Sequence, residues 1–328
     1  MILRMAVHNW RGFHHFEWAP TPCHLLTGPN GGGKSLLLKC LFDLAGIAAF
    51  RADPKLLSCE SSLGGESWDQ RFELDLRAVN GDVFSYGLTL RCLPDEAGVL
   101  CCKESLHLGG EPVAQVEMGV LMHRGRAVRQ LPNNRSALTL MTEILEVDRF
   151  VEALKQVHLT SSGWTSFPWL VAKDPERLAP DLSRFAMWLA ELGPRREVLI
   201  ARAARYFNVD LDELLRGREI EPAVFEGLSS GELRLWGHRL LGCLMEPGSV
   251  LLLDGPCESV AVDRIPGLLR GLRKRAEETG AQLVLATQHP TVIDAFEPMA
   301  AECLSVRNGH RVLLPAGKLF TAAEAVAV

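Results

Sequence analysis

The spacing of hydrophobic positions changes along this 328-residue chain, and each change marks a different kind of structure. Residues 1–8 read as a strand that runs into a turn at Trp10-Arg11-Gly12-Phe13. A second strand, ending His24-Leu25-Leu26-Thr27, meets a glycine-rich loop, and residues 35–50 read as a helix. A looser Gly/Ser-containing stretch runs from Ser58 to Ser67. Between about 70 and 130 the period is two. Arg71-Phe72-Glu73-Leu74-Asp75-Leu76-Arg77 alternates strictly, and Val83 to Leu90 alternates again. Asn80-Gly81-Asp82 between them is a hairpin signal, and Gly109-Gly110 marks a further turn. This pattern predicts an antiparallel meander.

From about 137 to 215 helical spacing takes over. Leu138, Leu140, Met141, Ile144 and Leu145 form one stripe, and Leu182, Phe185, Ala186, Leu189 and Leu192 another. Both read as buried core, with Pro168, Pro175 and Pro180 punctuating the interval. No sustained heptad run predicts a long coiled coil. From 228 onward the pattern is α/β: a helix over 230–245, the continuously apolar strand Ser249-Val250-Leu251-Leu252-Leu253, and a helix near 264–279. The strand Gln282–Ala286 follows, then a hairpin over 302–314 around Asn308-Gly309. A strand apolar throughout belongs in the middle of a parallel sheet.

Composition adds little to this picture. With 47% hydrophobic and 23% charged residues the chain is ordinarily globular, long enough for two compact lobes or one large domain. The net charge of −5 argues against a wholly basic nucleic-acid coat but leaves room for local basic patches. No apolar run reaches the roughly 18 residues of a membrane span. The N-terminal Met1-Ile2-Leu3-Arg4-Met5 lacks the apolar core of a secretory signal. The nine cysteines have no framework or metal-site spacing, and the vicinal Cys101-Cys102 is not a C-x-x-C pair. Reduced, buried thiols in a cytoplasmic protein are expected.

The candidate chemistry centres on Gly28-Pro29-Asn30-Gly31-Gly32-Gly33-Lys34-Ser35, which fits the phosphate-binding loop G-x-x-x-x-G-K-[ST]. An apolar strand before it, and Leu36-Leu37-Leu38-Lys39-Cys40-Leu41 opening a helix after it, supply the setting that the motif needs. The backbone N–H groups of Asn30, Gly31, Gly32, Gly33 and Leu36 are placed to cradle phosphates at a helix N-terminus. Lys34 would neutralise phosphate charge and Ser35 would ligate Mg²⁺, so ATP and Mg²⁺ are the cofactors expected.

Four further segments accompany that loop: Asn9-Trp10-Arg11-Gly12-Phe13, L-S-S-G-E-L-R-L from Leu228, L-L-L-D-G-P from Leu251, and A-T-Q-H-P-T-V-I-D from Ala286. With them the chain resembles the SMC/RecF-like branch of ABC-type ATPases. Within it, the chain is similar to the compact AAA_21-type predicted ATPases, which include the ATPase part of OLD-like (overcoming-lysogenisation-defect) proteins. The resemblance implies an α/β, two-lobed ABC-type P-loop ATPase head with an antiparallel β meander and an inserted helical region. The implied divisions are an N-terminal lobe over 1–136, the helical region over 137–215, and a C-terminal lobe over 216–328.

The resemblance also assigns roles. Ser229, Ser230, Gly231 and Glu232 correspond to the signature that faces the nucleotide of a second subunit; an ordinary helix N-cap accounts for Ser229 and Glu232 equally well. Asp254 ends the Walker B strand and, with Ser35, is the metal-holding residue. The next position, where the family has the glutamate that polarises water, is Gly255. Glu258 is either a substitute for that glutamate or a surface residue. Asp263 aligns loosely with an aspartate of the family's subunit contact. In the switch loop Gln288 takes the place of the family's histidine by alignment, while His289 suits the chemistry of positioning water. Arg11 lies beside the nucleotide in such a fold, or is simply a surface arginine. The basic run from His123 to Arg135 reads as a solvated loop or a DNA contact.

Residues 296–328 are too few for a nuclease module, so any effector would be a separate chain. The reading is a nucleotide-dependent switch that closes as a head-to-tail, ATP-sandwich homodimer and controls a toxin or nuclease, in bacterial phage defence or DNA maintenance. The alternatives are a non-hydrolysing nucleotide-responsive scaffold and a transporter ATPase subunit.

Overall fold

The computed structural model describes residues 1–50, 52–57, 69–92, 99–117, 119–123, 125–130, 136–161, 185–210, 227–296 and 301–315, and the side chains of Cys92, Arg129 and Ala186 are not among those described. The readings for 58–67, Pro168, Pro175, Pro180, Leu182, Arg124 and 131–135 lie outside these residues.

Among the described residues, fourteen strands form two sheets. The first is antiparallel throughout, with the order β2(Phe13–Trp18)-β1(Ile2–Trp10)-β4(Asp69–Arg77)-β5(Val83–Cys92)-β6(Val99–Leu108)-β7(Glu111–Glu117)-β8(Val120–His123)-β9(Arg126–Gln130). The predicted meander is present from β4 to β9, and Asn80-Gly81 forms its first turn, with Gly81 at φ +90°. The second sheet has the order β10(Val157–Ser161)-β11(Val250–Asp254)-β12(Gln282–Ala286)-β3(Cys23–Thr27)-β13(Ala301–Arg307)-β14(His310–Pro315). Its first five strands are parallel and β14 closes it as an antiparallel edge.

Helix α1 (Lys34–Phe50) separates the sheets. Leu37, Leu38, Leu41, Leu44 and Ile47 are fully buried, and they share one core with Met5, Phe72 and Leu74 of the first sheet and Leu26, Leu252 and Val284 of the second. A helix apolar on all sides suits this position between two layers. The opposite face of the second sheet presents Leu25, Leu251, Leu253, Leu283 and Leu285 to a second core. Helices α4 (Arg195–Tyr206), α5 (Ser230–Leu244), α6 (Ile265–Thr279) and α7 (Pro290–Phe296) fill that core, together with the short α3 (Phe185–Glu191). Because β3, β11 and β12 are covered on both faces, consecutive residues such as Leu25-Leu26, Val250 to Leu253 and Leu283 to Ala286 are apolar rather than alternate ones.

Two buried polar groups brace the core, the first of them joining the two sheets. Gln282, fully buried at the start of β12, accepts from Ile2 N at 2.7 Å and donates to Ile2 O at 3.1 Å. The carboxylate of Glu104 accepts from Tyr86 Oη, Ser136 Oγ and Ala137 N at 2.7, 2.6 and 2.7 Å. Burial raises the Glu104 pKa, and those three donors pull it back down.

The stretch read as helical differs from expectation in two ways. Leu138–Leu140 is a single 3-10 turn, because Glu104 takes the Ala137 amide; α2 (Leu145–Lys155) begins only after it and buries Val147, Phe150, Val151 and Leu154. Leu140 and Leu145 of the predicted stripe are exposed. Directly after α2 the chain forms β10, a strand the helical reading passed over. Val157-His158-Leu159-Thr160-Ser161 is short and half polar, and its pairing in register with Val250 to Asp254 decides its conformation.

His238 on α5 is buried behind β10, with Nε2 3.0 Å from Thr160 Oγ1 and Nδ1 without a partner. Burial lowers its pKa from 6.5 to about 3. The unfolded chain therefore binds a proton that the folded chain refuses. This contribution is complete above the unfolded value and is lost as pH falls toward the folded one, at about 1.4 kcal/mol per pH unit. Urea unfolding at pH 7 and pH 5 is expected to show a smaller acid loss for His238→Gln than for the wild-type chain. Equal losses would show that His238 does not carry this dependence.

Candidate functional site

The loop Gly28–Gly33 joins the end of β3 to the first turn of α1, at the carboxyl end of the parallel strands, where ligands bind in open α/β sheets. Gly28, Gly31 and Gly33 have φ of +135°, +76° and +105°, a region that other residues rarely enter. The loop is also tightly backed. A Cβ on Gly28 would fall 2.2 Å from Leu304 O, and one on Gly32 2.6 Å from the same oxygen. Lys34 Nζ folds back to donate to Gly28 O at 2.7 Å and Pro29 O at 2.9 Å. Burial lowers its pKa, and Asp254 partly offsets that effect.

Beside the loop is a cavity of about 590 Å³, lined among others by Asn30, Gly31, Gly33, Lys34, Ser35 and Leu36. Across it stand Asp254, Gly255 and Glu258 from the end of β11, and Gln288 and His289 from the end of β12. Of the loop residues expected to cradle phosphate, Gly32 is buried against Leu304 and does not line the cavity. The fold thus gathers on one cavity most of the residues picked from motifs more than 200 positions apart, as the separation of 219 between Ser35 and Asp254 shows.

Asp254 is the electrostatic centre. It is 8% exposed; Oδ1 accepts from Ser35 Oγ and Oδ2 from Ser161 Oγ, both at 2.8 Å. Burial raises its pKa, while the two hydroxyls and the Lys34 charge oppose the rise. A carboxylate and a hydroxyl in mutual contact, beside a cavity open to water, are the hard oxygen donors that suit Mg²⁺. Ser161 was not singled out from the sequence. Its only signal was an apolar–polar alternation ending in Ser161-Ser162-Gly163, which becomes meaningful once β10 is placed beside β11.

The remaining candidates divide. Gly255 has φ +60°, and its carbonyl accepts from Arg234 Nη1 at 3.3 Å. Glu258 is 62% exposed at its side chain, 3.9 Å from Arg234, on the cavity rim. His289 has its Nδ1 buried without a partner, and its amide donates to Thr287 Oγ1 at 3.0 Å. Gln288 lines the same wall but is exposed. Arg11 is exposed, outside the cavity lining, with its guanidinium 5.7 Å from the Trp10 ring centroid. Arg311 on β14, absent from every motif, does line the cavity.

The signature residues lie elsewhere. Ser229 caps α5 and forms a complete capping box with Glu232, whose carboxylate accepts from Ser229 N at 2.9 Å and Oγ at 2.7 Å. Ser229, Gly231 and Glu232 line a second cavity of about 310 Å³ with Trp236, Arg239 and Arg264. Arg239 has its pKa lowered to about 10 by burial and by Arg264. Ser230 does not line it. The two cavities share no lining residue, and the segment 255–264 borders both. Asp263 lies in the 3-10 turn Val262–Arg264 and its carboxylate is exposed. In the basic run, His123 is at the end of β8, Arg126 is exposed on β9, and Arg124 and Arg135 lie outside the described residues.

Solved structures place this fold. The SMC head domain from Thermotoga maritima matches with a TM-score of 0.54 and 16% identity, covering 96% of this chain and 98% of that one. An SMC head bound to the C-terminal winged-helix domain of ScpA matches with a TM-score of 0.56 and 12% identity, over 97% and 99%. An SMC head with an extended coiled coil, bound to the C-terminal domain of ScpA derived from Pyrococcus furiosus, matches with a TM-score of 0.50 and 10% identity, over 100% and 99%. The chain therefore has the fold of SMC head domains over nearly its whole length. No protein-family model and no curated protein sequence matches it. Among the described residues, no helix is long and apolar enough to cross a membrane, and no cluster of three His, Cys, Asp or Glu residues is placed to hold a metal ion.

The glycines of the loop differ in what they do for stability. Gly31 has open space around it, so Gly31→Ala is expected to cost only the backbone strain, about 1–2 kcal/mol. Gly28→Ala adds a collision with the Leu304 backbone and is expected to cost more, about 3 kcal/mol or above. Urea unfolding of both variants checks the order, which the packing argument requires.

Proposed function

We propose that this chain binds ATP–Mg²⁺ in the β3–α1 cavity and acts as a nucleotide-dependent dimerisation switch. The observation that carries this reading is the contact of Ser35 with the buried carboxylate of Asp254, beside Lys34, at the mouth of a complete phosphate loop. In the bound state the Gly31 and Gly33 amides, the α1 N-terminus and Lys34 would hold the polyphosphate. Ser35 and Asp254 hold the Mg²⁺, which supplies charge neutralisation for the phosphates. Ser161 orients Asp254 from the side. His289 and Gln288 stand where a γ-phosphate and its attacking water would be sensed.

Ser229 and Gly231 line a separate cavity in their own chain, which supports a head-to-tail dimer in which each subunit's signature completes the other's site. Hydrolysis in such a dimer is slow. A positioned base is worth about 10²–10⁴-fold, and the residue after Asp254 is a glycine in a left-handed conformation. Glu258, on the rim, is the carboxylate left to take that part.

The OLD-like, AAA_21-type branch and a role in phage defence or DNA maintenance through a separate toxin or nuclease are inferred from the motifs of the sequence. Two SMC heads of this fold are seen bound to ScpA domains, which supports a separate partner for this chain. A second reading, a scaffold that responds to nucleotide without hydrolysing it, is favoured by Gly255.

Light scattering with and without ATP–Mg²⁺, combined with phosphate release, tests these readings. The mass of the wild-type chain is expected to double with little phosphate released, and Lys34→Ala is expected to stay monomeric. Fast turnover that Glu258→Gln abolishes would replace the slow switch by an active ATPase. No change in mass with ATP would overturn the switch.

A further inference from the structure

The last hairpin brings a cation to the phosphate loop that no motif predicts. Arg311 N on β14 donates to Gly12 O at 3.1 Å, which pins the strand to the β1–β2 turn. The Arg311 guanidinium lies 4.9 Å from the Phe13 ring centroid. It fills the space that side chains at two glycines would need: a Cβ on Gly12 would be 2.2 Å from Nη1, and one on Gly33 2.4 Å from Nε. Arg311 thus crosses from the β1–β2 turn to the last glycine of the loop and lines the same cavity as Lys34 and Ser35.

Nε is buried without a hydrogen-bond partner, and among the described residues no carboxylate pairs with Arg311. Arg11 is the charge that acts on it, and it is of the same sign. A partly desolvated guanidinium with its Nε donor unused, held beside another cation, is unfavourable unless an anion joins them. Its planar fork matches phosphate oxygens in particular.

We propose that Arg311 is a phosphate-binding residue of this site, supplied within the same chain by the β13–β14 hairpin; this rests on the ATP-binding reading above. Its contact with Gly33 sets which phosphates it meets. The loop amides wrap the α- and β-phosphates, whereas Lys34 reaches toward the γ-phosphate. Arg311 therefore stabilises ADP and ATP to a similar degree. It also gives the turn Trp10-Arg11-Gly12-Phe13 a purpose, since Gly12 leaves room for the guanidinium and Phe13 supports it.

Calorimetric titration with ADP–Mg²⁺ and with a non-hydrolysable ATP analogue tests this. Arg311→Met keeps the stem over Phe13 and removes the charge. It is expected to weaken both ligands by about tenfold to a hundredfold, with Arg311→Lys in between. Labelling of the wild-type chain with phenylglyoxal, read by peptide mass spectrometry, needs no variant to fold, and ADP–Mg²⁺ is expected to protect Arg311. If wild type binds and Lys34→Ala does not, while Arg311→Met binds like wild type or Arg311 labels equally with ADP, this inference fails alone. If Arg311→Met loses only the ATP analogue, the assignment to the α/β side is overturned. If wild type binds neither ligand, the ATP reading fails and this one with it.

Discussion

Helix α1 is enclosed by two sheets, and the rest of the structure follows from that burial. Its apolar positions face β1 and β4 on one side and β3, β11 and β12 on the other. The helix therefore cannot tilt or slide without opening the main core of the chain. Only its N-terminus escapes, and that end carries Lys34 and Ser35 to the cavity. A loop that must hold its amides in one arrangement is thus anchored to a helix buried between two sheets, and braced from behind by Leu304 of β13. Pre-organisation of this kind is what makes a backbone cradle useful for an anion, since little ordering remains to be done when the anion arrives.

The electrostatics of the cavity are arranged around one buried negative charge. Asp254 sits at the end of a central strand, where burial alone would favour the neutral acid. Two hydroxyls, from α1 and from β10, hold it in place, and the Lys34 charge favours its ionised form. The same elements connect outward. Arg234 on the signature helix α5 reaches the carbonyl of Gly255, and the segment after it borders both cavities. The two cavities are thus joined by a short, hydrogen-bonded span of the chain.

Much of this was legible in the sequence, for reasons that can be traced to particular residues. The start of the meander was visible because one face of β4 is buried in the core around α1 and the other is not, which writes period two into Arg71 to Arg77. Strands β11 and β12 were visible for the opposite reason, being covered on both faces. The loop was legible because its glycines answer to backbone geometry alone. Strand β10 and the turn at Leu138 were not. Each is decided by a distant partner, β11 in one case and Glu104 in the other, and local spacing carries no trace of either. Ser161 and Arg311 escaped for the same reason, since a serine and an arginine in a strand are ordinary until the sheet order shows what they stand beside.

By itself, then, the sequence determined the local conformations that side-chain periodicity and glycine geometry enforce: the phosphate loop, the alternating meander and the buried parallel strands. Tertiary structure alone decided which chemistry came together. It set Asp254 between Ser35 and Ser161, brought Arg311 to Gly33, and kept Ser229 and Gly231 in a cavity of their own. The physical reason is that backbone preference acts over a few residues, whereas strand order and helix packing are chosen by burying surface from the whole chain at once.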